Sequence, residues 1–211
     1  INWMAGVTTF IVVLLIVIVL LDREEDGVSL AAASRTVALT LESGNGILEN
    51  APETSNFDED LSDQWYVKYM DYLYGQGYLD SGSVKADERS ATSAVTYAVL
   101  SDWAKKASET DALLSYVDSG DRAKKAVSSE NFWKFYDAFR AAVDPDRAVA
   151  EVETDLYGTP DNVDGAPAWT AYTRDGIFQF EGLYLDGYID QKIRFLARDD
   201  EILKVEEMVS D

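Results

Sequence analysis

The sequence predicts an α+β protein in which one N-terminal transmembrane helix continues into a helical stalk and carries a helical globular domain with a small C-terminal antiparallel sheet. Residues 3–21 contain no charge and no proline. Apolar residues then recur at helical spacing over the middle of the chain. After Tyr157, short apolar runs are separated by Gly and Asp. We therefore divide the chain into a transmembrane helix (1–22), a stalk helix (23–49) and an acidic extracytoplasmic α+β domain (50–211).

The uncharged run is long enough to cross a bilayer, because 19 helical residues at about 1.5 Å each nearly match a hydrocarbon layer of roughly 30 Å. Residues 10–21 are all Phe, Ile, Val or Leu, so a helix here has no polar face. A signal-peptide core is shorter and follows basic residues. The sequence thus predicts a single-pass membrane protein whose bulk lies outside the cytoplasm or on the cell surface.

The overall composition excludes several function classes. The formal net charge is -21, and such a field repels phosphate backbones, so we expect no nucleic-acid partner. The short basic runs at 105–106 and 122–125 are interpreted as solvated helix faces. Acid excess of this size is typical of a salt-rich, halophilic exterior or of an ordinary acidic ectodomain. The chain has no Cys and no His, which excludes disulfides, thiolate chemistry and imidazole bases.

Beyond the apolar run, periodicity and turn signals predict helices followed by strands. The predicted helices are 28–42, 65–74, 83–108, 111–118 and 130–143. Gly and Asn at 43–46 predict a left-handed cap on the first of them. The predicted strands are 169–173, 177–181, 183–185, 188–195 and 202–208. Asp-Gly pairs at 175–176 and 186–187 predict hairpins between them.

Residues that carry chemistry are present, but none forms a recognisable catalytic set. Asp161, Asn162 and Asp164 lie close together, yet the spacing differs from a calcium loop, and Tyr172 stands where a bidentate Glu belongs. Five carboxylates could supply a pair for glycoside hydrolysis, which depends on their separation in space: Asp144, Asp146, Glu151, Glu153 and Asp155. We expect a non-enzymatic protein without cofactor or metal. A membrane-anchored hydrolase that uses carboxylates is the alternative.

The first ten residues, INWMAGVTTF, followed by an aliphatic run, resemble the mature start of archaeal type IV pilin-like proteins. In that comparison Asn2 stands at an acidic position, Trp3 at the aromatic and Gly6 at the glycine, while Ala5 replaces the Glu typical of bacterial pilins. The resemblance implies removal of a short basic leader ahead of Ile1, an outward helix and a β-rich head. A trimmed start is the other explanation of Ile1.

The predicted function is that of a pilin-like structural subunit, which assembles into a cell-surface filament or membrane-anchored assembly through its hydrophobic N-terminal helix. Its partners would be copies of itself or the transmembrane helices of other proteins. The alternative is a bitopic accessory subunit of a respiratory or transport complex. The predicted assembly positions are Trp3, Gly6, Phe10, Leu14, Val17 and Leu21.

Overall fold

A computed structural model of the chain describes residues 27–107, 111–116, 120, 122–159, 170–181, 183 and 185–208. In these residues a group of helices precedes five strands, so the α+β order of the prediction is confirmed. The helices are α1 Leu30–Leu41, α2 Gly44–Glu49, α3 Val67–Gly75, α4 Glu88–Thr92, α5 Tyr97–Ala107, α6 Asp111–Leu114 and α7 Ser129–Val143. The strands are β1 Ala150–Gly158, β2 Thr170–Thr173, β3 Gly176–Gln179, β4 Gln191–Arg198 and β5 Glu201–Met208. Short 3-10 turns lie at Glu59–Leu61 and Asp186–Tyr188.

The predicted membrane-spanning element is the main correction to the fold class. Across the described parts of the chain, no helix is both long enough and apolar enough to cross a membrane. The longest described helix, α7, has 15 residues, whereas a span needs about 20. The predicted span at 1–22 lies outside the described residues. The prediction of a single-pass membrane protein is therefore wrong for the structure as described.

The predicted stalk helix at 23–49 is also wrong. Residues 23–26 lie outside the described residues, and the remainder forms two helices, because Ser43 caps α2 by accepting a hydrogen bond from the Gly46 N–H at 3.1 Å. Helix α1 is a core element, with ten of its 12 residues buried. It packs against α3, α4, α7 and β5. Its small and aliphatic residues surround the whole helix rather than one stripe, which is typical of a buried helix.

The helix predicted at 83–108 is interrupted in the structure. Helix α4 ends at Thr92, and residues 93–96 are extended before α5 begins. The Ser93 hydroxyl donates to the Arg89 carbonyl at 2.6 Å, which satisfies the end of α4. The Val95 N–H then donates to the Val28 carbonyl at 2.9 Å. Tertiary pairing with the start of the described chain therefore overrides the local helical pattern.

The strands form a closed sheet in the order β1-β2-β3-β5-β4, since β4 also pairs with β1. Four pairings are antiparallel, but β3 and β5 are parallel at Gln179 and Glu201. The predicted purely antiparallel sheet is therefore corrected to a mixed one. Strand β1 was not predicted at all. Its residues nevertheless alternate, because Glu151 and Glu153 are exposed while Thr154 and Leu156 are buried.

Polar contacts join the helical part to the sheet. The Thr36 hydroxyl of α1 donates to the Leu203 carbonyl of β5 at 3.2 Å. In the other direction, Arg198 of β4 donates to the carbonyls of Leu39 and Thr40 at 3.2 and 3.0 Å. The carbonyls at the end of α1 that have no partner within the helix therefore accept hydrogen bonds from a cation. A cation is favoured there because the C-terminus of a helix carries a partial negative charge.

Candidate functional site

The six predicted assembly positions (Trp3, Gly6, Phe10, Leu14, Val17 and Leu21) lie outside the described residues. The structure does describe the residues just before α1 and the segments that they contact. The Leu30 N–H donates to the Ser93 carbonyl at 2.8 Å, and the Val127 N–H donates to the Val95 carbonyl at 2.8 Å. Together with the bond from Val95 to Val28, these contacts form a three-stranded ladder, which we call the entry ladder (residues 28–30, 93–97 and 125–127).

Beside the entry ladder lies a groove with positive charge, which we call the basic groove. It is defined by Tyr97, Arg122, Lys124, Lys125 and Asn131, and Gly27 also borders it. Its volume is about 1040 Å³. Arg122, Lys124 and Lys125 are all exposed. In a chain with 18 Lys and Arg against 39 Asp and Glu, three cations at one cavity are an unusual local concentration.

The aromatic floor of the basic groove holds its polar groups in place. The guanidinium carbon of Arg122 lies 3.9 Å from the centroid of the Tyr97 ring, within the range of a cation–π interaction. Asn131 Nδ2 donates to the Tyr97 hydroxyl at 3.3 Å. Tyr97 is itself buried. The positions of Arg122 and Asn131 are therefore set by a side chain that is part of the core.

The sequence interpretation of this basic run as a helix face is wrong. Residues 122–125 lie in consecutive turns, and residue 126 bridges to Thr96. By contrast, Lys105 and Lys106 are exposed on α5 as predicted. The spacing of apolar residues could have distinguished the basic run at 122–125 from the one at 105–106. Residues 122–125 contain no apolar residue other than Ala123, so they lack the helical spacing.

A second polar cluster lies where α1 and α3 meet the sheet, and we call it the junction network. Arg35, 1% exposed, donates to Glu201 Oε2 at 2.6 Å and to the Ile202 carbonyl. Tyr69 donates to Glu181 Oε2 at 2.8 Å, and Lys68 pairs with the same carboxylate at 2.8 Å. Burial raises the pKa of Tyr69 far above its ordinary value.

The chemistry of the junction network is that of structural ion pairs. Each carboxylate already accepts from a cation or a hydroxyl, and Tyr69 stays protonated because its pKa is raised. A small cavity of about 280 Å³ borders Lys68, Tyr69 and Glu201. A general base would need a pKa near the working pH and a free lone pair facing a substrate. The contacts favour a role in holding α1 and α3 on the sheet.

The five carboxylates considered for glycoside chemistry do not form one site. Asp144 accepts from the backbone N–H groups of Ala148 and Val149 at 2.7 and 3.0 Å. Glu151 and Glu153 lie along β1 and pair with Arg194 at 3.3 and 3.2 Å. Asp155 pairs with Arg174 at 3.1 Å, and Asp146 is exposed.

The electrostatics of Glu153 are unfavourable for an acid catalyst. The hydrogen bond from Arg194 lowers the pKa of Glu153, whereas a glycosidase acid needs a raised pKa. Asp161, Asn162 and Asp164 lie outside the described residues. Among the side chains that the structure describes, no group of three or more acids is placed to hold a metal ion.

Comparison with known proteins adds no family. No protein-family model, no curated protein and no solved structure matches this chain.

Proposed function

We propose that this chain is a non-enzymatic, pilin-like structural subunit that self-associates through the apolar segment at 3–21 and presents its acidic domain on the exterior of the assembly. The observation that carries the proposal is the short distance in sequence between this segment and the first core helix. Leu30 begins the core helix α1 only nine positions after Leu21. An assembly element joined to the most buried helix transmits load to the whole core.

The contacts around the start of α1 support this use. Backbone hydrogen bonds of the entry ladder hold Val28 and Leu30, the two neighbours of the N-cap residue Ser29. Ser29 caps α1 by accepting from the Ala32 N–H at 3.2 Å. Six residues after Ser29, Arg35 fixes the same helix to the sheet. The entry ladder, the Ser29 cap and the junction network would therefore all oppose a force that acts on residue 27 and displaces α1 from the core.

The charge distribution supports an exterior position for the domain. With 39 acids in 211 residues, like charges on neighbouring domains repel one another, and this repulsion keeps the outside of a polymer soluble. The apolar segment has the opposite property, because about 25 cal/mol of free energy is gained for each Å² of apolar surface that leaves water. Self-association would remove that surface from water.

The proposal is tested with the full-length chain and the double variant Leu14→Asp/Val17→Asp. Burying two carboxylates against apolar neighbours is unfavourable by several kcal/mol, so we expect the assembled fraction to fall at least about tenfold. The control is Leu48→Asp/Ile177→Asp, which adds the same charge at side chains that are 59% and 54% exposed. Sedimentation velocity and negative-stain microscopy measure assembly, and circular dichroism checks folding.

Two results would overturn the proposal. One is a wild-type chain that remains monomeric in water without detergent at all accessible concentrations. The other is assembly that is equally strong in the Leu14→Asp/Val17→Asp variant. A fixed-ratio complex with a different protein, recovered in place of self-assembly, would identify the chain as an accessory subunit instead.

A further inference from the structure

We propose that the basic groove binds the exposed acidic loop of a second copy of this chain, and that this contact sets the register of neighbouring domains in the assembly. The acidic loop is defined as residues 53–63. The inference rests on the proposed function, because it names the partner surface of the self-associated domain. It is carried by three observations: Lys124 and Lys125 have no ion pair among the described residues, the acids of the loop have none either, and the base of the loop is held in place.

The lysines of the basic groove have unused charge. Neither Lys124 nor Lys125 forms an ion pair with any residue that the structure describes. Both side chains are exposed, and the groove between them and Asn131 is open. Arg122 and Asn131 beside them are held against the Tyr97 ring, so the wall of the groove is fixed while the two lysines are free to meet a carboxylate.

The acidic loop has the complementary property. Its acids are Glu53, Asp58, Glu59, Asp60 and Asp63, and the loop contains no Lys or Arg. All five are exposed. None of them forms an ion pair within the described part of the chain. This distinguishes the loop from the carboxylates on β1, which Arg194 and Arg174 already neutralise.

The acidic loop is also held in shape. Asp71 on α3 accepts from the Asn56 N–H at 2.8 Å and from the Ser55 hydroxyl at 2.6 Å. Phe57 is buried and packs edge-to-face on Tyr66 and Tyr74. The carboxylates at 58–60 therefore project from a short 3-10 turn with a fixed base, and a rigid acidic turn matches a preorganised basic groove.

The two surfaces are different parts of the molecule, since the loop packs on α3 and the groove is bounded by the starts of α5 and α7. A contact between unlike surfaces is heterologous and propagates from copy to copy unless its rotation closes a ring. In an assembly nucleated by the apolar segments, each domain is held near its neighbours, so a weak ion-pair contact becomes effective through high local concentration.

The first experiment is a charge exchange in the full-length chain. Lys124→Glu/Lys125→Glu places like charges opposite the loop, and we expect the critical concentration for assembly to rise about tenfold or more. The loop variant Asp58→Lys/Asp60→Lys should have the same effect. Combining the two pairs restores opposite charges, and the critical concentration should return to within about threefold of wild type.

The matched control is Lys105→Glu/Lys106→Glu, which makes the same change in net charge at an exposed pair on α5 outside the groove. This control should leave the critical concentration within about threefold of wild type. Both variants change the net charge equally, so a general effect of charge would act on both to the same extent. Equal effects of the two lysine pairs, or no rescue in the combined variant, would overturn the inference. Circular dichroism identifies any variant that does not fold.

The second experiment separates this inference from the proposed function. Because the chain contains no cysteine, Lys125→Cys and Glu59→Cys variants can be mixed under oxidising conditions and examined for a disulfide between copies. We expect the cross-link in this mixture and not between Lys106→Cys and Glu59→Cys. Assembly without the cross-link would overturn the groove contact alone. A cross-link at high concentration in a chain that forms no larger assembly would overturn the proposed function alone.

Discussion

The helical core and the core of the closed sheet are stabilised in different ways. The helical core contains large aromatic side chains in mutual contact, such as Trp103, Phe135 and Phe139. The sheet encloses a much smaller cluster around Phe195 and Ile193. Between them lie the junction network, in which Arg35 donates to the Ile202 carbonyl, and the separate contact from Arg198 to the Leu39 carbonyl. Apolar burial therefore stabilises each part internally. The two parts are joined by Leu196 and Leu203 of the sheet, which belong to the helical core, and by these directional polar contacts.

The largest expected effect comes from breaking the junction network. Arg35→Met removes the partner of Glu201 and of the Ile202 carbonyl, and loss of one member of a buried ion pair typically destabilises by about 3–5 kcal/mol. Urea denaturation measures this loss. The control is Arg174→Met, because the Arg174 side chain is 51% exposed and solvent screens its ion pairs, so this variant should be far less destabilised than Arg35→Met. Equal losses would show that the junction does not depend on the buried arginine.

Alkaline pH should act on the helical core. Burial raises the pKa of Tyr136 to about 12, against about 10 in an unfolded chain. The folded state therefore holds this proton where the unfolded state releases it, so stability is intact below pH 10 and falls as pH rises towards 12. We expect a loss of about 2–3 kcal/mol from Tyr136 across this window.

Urea midpoints between pH 8 and 11.5 measure this dependence, and Tyr136→Phe provides the comparison. That variant should be less stable near neutral pH, since the Thr40 hydroxyl loses its partner at 2.9 Å, by about 1 kcal/mol. It should also show a shallower decline at high pH. An unchanged slope in Tyr136→Phe would assign the alkaline loss to other tyrosines, among which Tyr74 also has a pKa raised to about 12 by burial.

A smaller effect is expected at the connection between the two parts. Asp144 follows α7 and accepts from two backbone N–H groups just before β1, so Asp144→Ala should lower the free energy of unfolding by about 1 kcal/mol. Asp146→Ala is the matched control, because Asp146 is an exposed acid two residues away, and its change should stay within about 0.5 kcal/mol. Thermal denaturation distinguishes the two.

The smallest effect is expected on the surface of α7. Lys134 and Glu130 form an exposed ion pair one helical turn apart, and solvent screens most of the attraction in such a pair. Lys134→Gln should cause a loss smaller than that of Asp144→Ala, and this loss should disappear in 1 M salt, where charges are screened within about 3 Å. A loss larger than that of Asp144→Ala would mean that surface charge, and not only aromatic burial, stabilises the helical core.

Local sequence patterns predicted the elements that local interactions decide. Helices α3 and α7 were predicted to within two residues, since their aromatic residues recur at helical spacing, and Ser128 caps α7. The Asp175-Gly176 hairpin between β2 and β3 was also confirmed. At Gly176 the backbone φ of 151° is one that residues with a side chain rarely adopt, so the turn signal had a physical basis.

Elements that depend on distant residues were not predicted. Strand β1 has three outward acids, which concealed its inward alternation of Val152, Thr154 and Leu156. The parallel pairing of β3 with β5 depends on closure of the sheet, which no local signal contains. The basic groove was missed because Tyr97 and Arg122 meet only after α5 and the turns at 122–125 are brought together.

The sequence alone determined the net charge, the absence of Cys and His, and the apolar segment at 3–21, because these are properties of composition that no fold can alter. Only the tertiary structure decided that α1 is a core helix, that the acids of β1 are neutralised while those of the acidic loop are not, and that three cations line one groove. Burial and ion pairing depend on which distant residues become neighbours, and that information is distributed over the whole chain.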